Sequence, residues 1–369
     1  MLRARARIDL GAIQRNCRLL SGAAGDAALC AVVKADGYGH GAVPSARAAV
    51  AGGATWIAVA TAHEAAVLRE AGIGARLLVL GALSPDELDV ALQADADVVA
   101  WTRELLDGIS ARGGGRVHVK LDTGMGRLGT RSAEEATSLV RQAVEDPALT
   151  AAGVMTHFAT ADDRASAFLD EQLERFEAWA LPLRRDHPEL VVHAANSAAT
   201  LGEPRAHFDL VRCGLAIYGL DPFGADPAEH GLEPALRLTS YVAAVKAVEP
   251  GQSAGYARRF IAEEPGTLAT IPIGYGDGVR RGLTNNADVL IHGTRRPLAG
   301  TVSMDNLTAL VDDDVHALDE VVLLGEQDGE RILAEEWAQR LDAINYEIPC
   351  GITARVPREY VPTDGLDLT

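Results

Sequence analysis

Residues 29–41 read LCAVVKADGYGHG, and this stretch indicates the fold more clearly than any other part of the chain. Its apolar first half predicts a buried strand, and the three glycines that follow predict a loop able to lie close to a ligand. Lys34 stands where the strand gives way to the loop. A lysine at the edge of an apolar core loses part of its hydration and becomes a better nucleophile, as a Schiff base requires. The alternative interpretation is a lysine that only ends the strand.

The same pattern, a short apolar run followed by a longer stretch with helical spacing, recurs up to about residue 215. The candidate strands are 29–34, 55–60, 76–80, 97–101, 116–121, 151–157, 190–195 and 209–213. Helical spacing is clear over 165–182, where Leu169, Leu173 and Phe176 fall on one face. Eight strands, each followed by a helix, predict an α/β fold with a (β/α)8 barrel over residues 10–230. An open doubly wound sheet is the alternative, and the number of strands favours closure.

Beyond about residue 230 the sequence changes to glycine, proline and short alternating runs. Candidate strands there are 237–248, 267–273, 288–292, 307–311 and 320–324, with one helix at about 333–342. This pattern predicts a mostly β domain. The alternating strand 3–9 has no place in the barrel, so we assign residues 1–9 together with 231–369 to this second domain. The segment 221–233, rich in proline, glycine and acidic residues, is the predicted linker.

Composition limits the partners and the compartment. The chain has 369 residues, too many for one ordinary core, and a net charge of −18, which argues against nucleic acid and anionic membranes as partners. No apolar run approaches the length of a transmembrane helix. The four cysteines are scattered without a C-x-x-C pair, and Cys30 and Cys213 lie in apolar runs. They are predicted to be free buried thiols of a reducing compartment, hence a cytoplasmic protein.

Polar side chains stand at the predicted carboxyl ends of the barrel strands, where the functional groups of such barrels gather. They are Lys34, Lys120, His157, Ser197 and Arg212. This convergence is a stronger argument for a site than any single motif.

Other motifs indicate less. Gly124 to Gly129 matches the dinucleotide pattern G-x-G-x-x-G, but the acidic pair about twenty residues later lies before the next strand and could not reach a ribose. The run Asp312 to Asp314 lacks the alternating spacing of a calcium loop and is predicted to be a solvated turn. No zinc or nucleotide-triphosphate motif is present, so we expect no metal site.

Eight segments, in this order, carry a resemblance to a known family: AVVKADGYGHG, KLDTGMGRLG, MTHFATAD, NSA, RCGLAIYG, GYGDG, VSMDN and NYEIPC. Along nearly its whole length the chain resembles the alanine racemase family. The resemblance implies a barrel that binds pyridoxal 5′-phosphate (PLP) and a β-rich domain that includes the first strand. It also implies L-alanine and D-alanine as substrates, and a head-to-tail homodimer in which the β domain contributes to the partner's active site.

The resemblance also implies roles for the cofactor-binding residues. Lys34 would hold PLP as a Schiff base. The phosphate would be held by Tyr38, Ser197, Gly214, Leu215 and Tyr346. Arg212 would face the pyridine nitrogen and, having no acceptor atom, would keep it unprotonated, which should suppress transamination. His157 would support the ring and Arg212.

A racemase removes a proton from one face of the α-carbon and returns one to the other, so it needs two groups. The resemblance implies that these are Lys34 and, from the partner subunit, Tyr256. A free tyrosine has a pKa near 10 and needs a nearby cation to act as a base. Ala257 departs from the family, which often has glycine there.

Four further residues would surround the substrate by the same resemblance. Arg127 would contact the phenolic oxygen and be braced by a carbamylated Lys120, and Met304 and Asp305 would lie at the substrate carboxylate, with Tyr275 at the entrance.

Three other functions are the alternatives. A racemase or decarboxylase of the same architecture could act on another amino acid. A non-catalytic PLP carrier would have a barrel without the β domain, so the residues after 233 argue against it. A nicotinamide dehydrogenase rests on Gly124 to Gly129 alone.

Overall fold

The computed structural model describes residues 2–362. The chain forms two compact units, one of residues 13–217 with 230–232 and the other of residues 2–12, 218–229 and 233–362. The domain limits derived from the sequence, 10–230 and 1–9 with 231–369, stay predictions. Met1 and residues 363–369, which the second of these domains includes, lie outside the described residues.

The first unit is built on an eight-stranded parallel sheet. The chain begins with β1 (Arg5–Asp9), which belongs to the other unit, and continues with β2 (Ala28–Val32), β3 (Trp56–Val59), β4 (Arg76–Val79), β5 (Ala96–Ala100), β6 (Gly115–Lys120), β7 (Leu149–Met155), β8 (Val191–His193) and β9 (Leu210–Cys213). The order β8-β7-β6-β5-β4-β3-β2-β9 is hydrogen-bonded throughout. Arg212 N–H donates to Ala195 O (2.9 Å), which brings β9 back to the end of β8. The predicted (β/α)8 barrel is thereby confirmed.

α1 (Leu10–Ala24) precedes the first barrel strand, and the left-handed turn α2 (Lys34–Tyr38) follows β2. The other helices that lie between barrel strands are α3 (Ala42–Ala51), α4 (Ala62–Glu70), α5 (Pro85–Gln93), α6 (Arg103–Ser110), α7 (Ala133–Glu145), α8 (Phe168–Asp186) and α9 (Ser197–Gly202). Local sequence explains where several begin. Ser84 caps α5 with Glu87 in a reciprocal capping box, ahead of a proline in the first turn. The helix predicted at 165–182 starts later, because Asp163 Oδ1 accepts from Ala165 N–H (3.0 Å) and holds that segment in a turn.

The second unit is mostly β, as the sequence predicts. Its strands are β10 (Leu236–Tyr241), β11 (Ala244–Val248), β12 (Ser253–Ala254), β13 (Phe260–Ile261), β14 (Gly266–Ile271), β15 (Asp288–Ile291), β16 (Thr294–Pro297), β17 (Leu307–Val311), β18 (Glu320–Gln327), β19 (Glu330–Ile332) and β20 (Arg358–Val361), and its helices are α10 (Ala334–Leu341) and α11 (Glu347–Cys350). β1 pairs antiparallel with β10 and parallel with β20, which confirms that the first strand joins this unit.

The prediction of one continuous strand over 237–248 is wrong. β10 belongs to the large sheet β16-β15-β18-β10-β1-β20, whereas β11 belongs to the separate sheet β11-β14-β17. The change occurs at two residues: Val242 N–H donates to Asp319 O (2.9 Å) and Ala243 N–H to Thr270 O (2.7 Å). Both halves are strand-like in sequence, so alternation alone does not reveal the crossing from one sheet to the other.

The predicted linker is partly an ordered element of the second unit. Asp221 is fully buried, its N–H donates to Glu335 Oε1 (3.0 Å), and its Oδ1 accepts from Phe223 N–H (2.8 Å). Among the described residues, no helix combines the length and apolar character that crossing a membrane requires.

Candidate active site

Lys34 lies at the start of a strained turn. β2 ends two residues before it, and the next four residues, Ala35, Asp36, Gly37 and Tyr38, have φ values of 53°, 50°, 62° and 53°. The segment is therefore one turn of left-handed helix, which costs about 1–2 kcal/mol for each residue that is not glycine. Strain of this kind persists only where the surroundings enforce it, and it is common at functional sites.

Two side chains enforce the turn. Ala35 N–H donates to Glu64 Oε1 (2.7 Å), and the other oxygen of Glu64 accepts from Thr61 N–H (3.1 Å) at the start of α4. His40 Nδ1 lies 3.0 Å from Gly37 O, and because a carbonyl only accepts, this nitrogen carries the proton. Lys34 is thus carried by a turn tied to a neighbouring helix.

The predicted phosphate-binding residues of the barrel come together beside this turn. Ser197 Oγ accepts from Gly214 N–H (3.1 Å) and from Ala216 N–H (3.3 Å). A Cβ atom on Gly214 would lie 2.3 Å from Tyr38 Oη, so only glycine admits the phenol here. Leu215, the next residue, is buried. Since both bonds use lone pairs of Ser197 Oγ, its O–H can donate to an anion.

Arg212 is buried and firmly held. Nη1 donates to His193 Nδ1 (2.8 Å), and Nη2 donates to Thr156 O (2.8 Å) and Ala194 O (2.9 Å) and lies 3.3 Å from His157 Nδ1. Burial lowers its pKa to about 10, so the guanidinium stays charged at neutral pH. Within residues 2–362 these bonds all run through Nη1 and Nη2, which leaves the Nε–H group as a donor for a ligand.

Lys120 and His157 share a cationic environment. Burial, and secondly the charges of Arg212 and Arg127, lower the pKa of Lys120 to about 8. Burial and neighbouring cations, Arg212 foremost, hold the pKa of His157 well below its usual range, so its imidazole is neutral. Lys120 therefore has a substantial neutral amine fraction at physiological pH.

Arg127 itself is exposed, in a loop shaped by Asp122. The carboxylate of Asp122 accepts from Gly124 N–H and from Gly126 N–H, each at 3.0 Å. Burial by itself would raise the pKa of Asp122, but these bonds outweigh it and lower the pKa. The glycines that imitate a dinucleotide motif are thus the donors that fold this loop.

The predicted residues of the second unit are mostly exposed. Tyr256 is 72 % exposed, Met304 52 % and Tyr275 42 %. Tyr346 is half-buried, immediately before α11. The carboxylate of Asp305 accepts from Arg355 Nη2 (2.7 Å), which offsets the negative charge predicted to lie beside a substrate carboxylate.

Tyr256 sits on a strained turn of its own. Gly255 has a φ of 71°, and a Cβ there would lie 2.8 Å from Thr301 N. Ala257 has a φ of 60°, a conformation that favours glycine, which gives the departure from the family a physical cost. Thr301 Oγ1 donates to Tyr256 O (2.7 Å) and secures the turn.

Two loops of the second unit form one assembly. Tyr275 N–H donates to Ser303 O and Gly276 N–H to Met304 O, each at 2.9 Å. The buried Asp277 accepts from Gly274 N–H (3.0 Å) and is paired with Arg3. Tyr275 and Met304 therefore hold fixed positions relative to each other despite their exposure.

Three fully buried polar residues of the barrel were not predicted from the sequence: Asp97, His118 and His193. One signal was present for His118, because it stands two residues before Lys120 and alternate residues of a strand share a face. Asp97 and His193 are revealed only by the closed barrel.

Comparison with known proteins gives the chain its family. Residues 8–222 match the family model "Alanine racemase, N-terminal domain" and residues 235–360 match "Alanine racemase, C-terminal domain". The alanine racemase of Frankia casuarinae is 44 % identical over 98 % of this chain and 97 % of its own length. That of Symbiobacterium thermophilum is 43 % identical over 96 % of each. The solved alanine racemase of Streptomyces coelicolor A3(2) superimposes with a TM-score of 0.92, at 40 % identity over 98 % of both chains. The chain belongs to the alanine racemase family.

Proposed function

We propose that this protein is a PLP-dependent racemase that interconverts L-alanine and D-alanine. Membership of the family supports the reaction and its substrate. The observation that carries the proposal is the convergence, at the carboxyl ends of the barrel strands, of the Lys34 turn with Tyr38, Ser197 and Arg212.

The donor set of the barrel fits PLP. The hydroxyls of Tyr38 and Ser197, with the backbone of Gly214 and Leu215, suit a phosphate, and Tyr346 would complete that set. The Nε–H group of Arg212 would face the pyridine nitrogen, and Lys34 would attach the cofactor covalently. When bound, PLP withdraws electrons from an attached amino acid and so makes its α-proton removable.

Arg212 would set how strongly the ring of bound PLP withdraws electrons. It has no acceptor atom, and its pKa of about 10 keeps it charged, so a pyridine nitrogen facing it stays unprotonated. Weaker electron withdrawal favours return of the proton to the α-carbon over transamination.

Two groups of the protein would move the proton. The Lys34 amine would act on one face of the α-carbon and Tyr256 of the partner subunit on the other. The exposure of Tyr256 in the single chain supports a role toward a second subunit in a homodimer. Met304, Asp305 and Tyr275, exposed on the same unit, would line the substrate side of that site.

Lys120 would carry a carbamate. Its neutral amine would add CO2 and release one proton, and the resulting anion would pair with Arg127. The lowered pKa of Lys120, about 8, supports this reaction near neutral pH. Mass analysis of the intact protein prepared under CO2 should show one added CO2 that is absent from Lys120→Gln.

The free thiols support a reducing compartment, hence the cytoplasm, as the place of action. Cys17, Cys30 and Cys213 are buried and unbridged. Burial raises the pKa of Cys30 and Cys213 to about 12, which keeps both protonated and unreactive.

The test is deuterium exchange at the α-carbon of L-alanine in heavy water with added PLP, read together with formation of D-alanine. Exchange with D-alanine formation is expected. No exchange by protein that carries covalent PLP would contradict alanine as substrate, and larger amino acids would then test the alternative of the same architecture.

Tyr256→Phe should slow proton removal from one enantiomer far more than from the other, and equal losses would contradict the two-base assignment.

A further inference from the structure

A chain of hydrogen bonds crosses the barrel interior from Arg212 to Asp97. Arg212 Nη1 donates to His193 Nδ1 (2.8 Å) because a guanidinium cannot accept. His193 Nε2 then carries the proton of this ring and donates to His118 Nδ1 (2.8 Å). His118 Nε2 in turn donates to Asp97 Oδ2 (2.9 Å). Each bond fixes the direction of the next, so both imidazoles are restricted to one tautomer.

The charges lie only at the ends of this relay. His118 and His193 are fully buried, and burial lowers the pKa of each, so both rings are neutral. Burial by itself would raise the pKa of Asp97, but hydrogen bonds from His118, Arg76 and Arg116 bring it to about 2. One carboxylate and one guanidinium are thus joined through two neutral rings.

The barrel is shaped around the relay. A Cβ on Gly153 would lie 2.5 Å from His118 Nδ1, so this strand position must be glycine for the two rings to meet. Trp56 packs edge-on against His118, with ring centroids 5.6 Å apart, and Arg76 lies over the same indole at 4.2 Å. A side chain placed and enclosed in this way has little freedom to adopt another hydrogen-bonding partner.

Asp97 also forms ion pairs with two arginines at the amino-terminal ends of barrel strands. Arg76 Nη2 lies 2.7 Å from Asp97 Oδ2, and Arg116 Nε lies 2.5 Å from Asp97 Oδ1. About a third of each arginine side chain is exposed, so water solvates these two cations directly. Arg212 is 3 % exposed and has no such access to water, and its hydrogen-bond acceptors within residues 2–362 are all uncharged.

We propose that Asp97 is the counter-charge and positioning residue of Arg212, acting through His118 and His193. The carboxylate polarises both rings, which makes His193 Nδ1 a stronger acceptor and stabilises the charged guanidinium. With Nη1 and Nη2 held in this way, the Nε–H group of Arg212 keeps its direction and gives up its proton less readily. This proposal deepens the role proposed for Arg212. Its turnover test rests on the proposed function, whereas its spectroscopic test does not.

The decisive comparison is Asp97→Asn with Asp95→Asn in the full-length protein. Asp95 also binds Arg116 (2.8 Å) but does not contact His118, and asparagine tolerates its φ of 51°. In spectra of protein labelled with 15N in histidine and arginine, Asp97→Asn should shift the imidazole N–H signal of His193 and the Nε–H signal of Arg212. Asp95→Asn should leave both unchanged. Unchanged His193 and Arg212 signals in folded Asp97→Asn would overturn the proposal.

A turnover measurement separates positioning from simple stability. Asp97→Asn should lower kcat/KM for racemisation about tenfold, as for one weakened hydrogen bond to a charged group. It should also raise the share of turnovers ending in pyruvate and pyridoxamine phosphate, because a less stabilised Arg212 shares its proton more readily with the ring nitrogen. Equal loss of both reactions would contradict the proposal.

If neither reaction occurs in wild-type protein, the proposed function fails, and the spectra still decide the relay. His118→Gln, expected to shift the same His193 and Arg212 signals, replaces Asp97→Asn if that variant does not fold.

Discussion

The candidate residues of the barrel and those of the β-rich unit are held in different ways. Tyr38, Ser197 and Arg212 are buried, and hydrogen bonds or close packing within the barrel fix their positions. Tyr256 and Met304 are large and mostly exposed. Exposed large apolar side chains often mark interaction sites. This difference fits the proposed shared site, in which the barrel residues would be pre-organised within a chain and those of the β-rich unit would act in a partner's site.

Both halves nevertheless contain a left-handed turn. Around Lys34 the turn spans four consecutive residues and is tied to α4 through Glu64. Around Tyr256 it centres on Ala257 and is secured by Thr301. Backbone strain therefore accompanies a candidate site residue in both regions, and the larger strain accompanies the larger set of supporting bonds.

The largest effect is expected from Lys34→Ala, which tests whether the barrel half carries the cofactor. The chain contains three lysines, Lys34, Lys120 and Lys246, so covalent attachment has few possible sites. Lys34→Ala should abolish covalent PLP, measured as cofactor fixed to protein after borohydride reduction, and should abolish racemisation. The matched control is Lys246→Ala, since Lys246 is exposed on β11. Retained covalent cofactor in Lys34→Ala would assign it to another lysine.

A smaller effect is expected from Gly214→Ala, which tests how tightly the barrel half is pre-organised. The added methyl group would meet Tyr38 Oη at 2.3 Å and push the phenol away. A displacement of about 1 Å in a site can cost about 100-fold in rate, so we expect racemisation to fall about 10- to 100-fold with weaker PLP binding. Gly22→Ala is the control, because a Cβ at Gly22 in α1 meets nothing within 4 Å. Unchanged PLP affinity in Gly214→Ala would contradict the proposed phosphate site.

The smallest effect is expected from Ala257→Gly, which tests the strain in the β-rich half. Relief of a left-handed conformation worth about 1–2 kcal/mol is largely offset by the entropy that glycine loses on folding, roughly 0.5–1 kcal/mol. The free energy of unfolding, measured by denaturant titration, should rise by less than about 1 kcal/mol. Ala247→Gly, on the exposed edge of β11, should lower it instead. A loss of stability in Ala257→Gly would show that the turn is not strained.

Local sequence predicted the parts of the fold that depend on short-range patterns. Continuous apolar runs identified the barrel strands, since strands covered on both faces lack alternation. Alternation also identified β1 as a half-exposed strand. The break between β10 and β11 escaped because both strands continue the same kind of pattern.

Candidate site residues were predictable where they end a barrel strand or lie in a segment that resembles the family. The relay joins residues 19, 75 and 21 positions apart in sequence, and barrel closure alone brings them together. The left-handed turn at 35–38 escaped as well, because alanine and tyrosine rarely adopt positive φ and Asp36 is the only non-glycine residue of the turn that does so readily. One of the two side chains that enforce the turn is Glu64, which is distant in sequence and whose sequence pattern is that of an ordinary helix cap.

Complementation between two inactive variants tests the shared site most directly. Chains carrying Lys34→Ala and chains carrying Tyr256→Phe are dissociated, mixed in equal amounts and allowed to reassociate, and racemisation is measured. In a mixed dimer one site keeps both groups and the other loses both, so random pairing should restore about a quarter of wild-type activity. Each variant taken alone through the same treatment should stay low. A mixture no more active than the average of its components would contradict a site built from Lys34 of one chain and Tyr256 of the other.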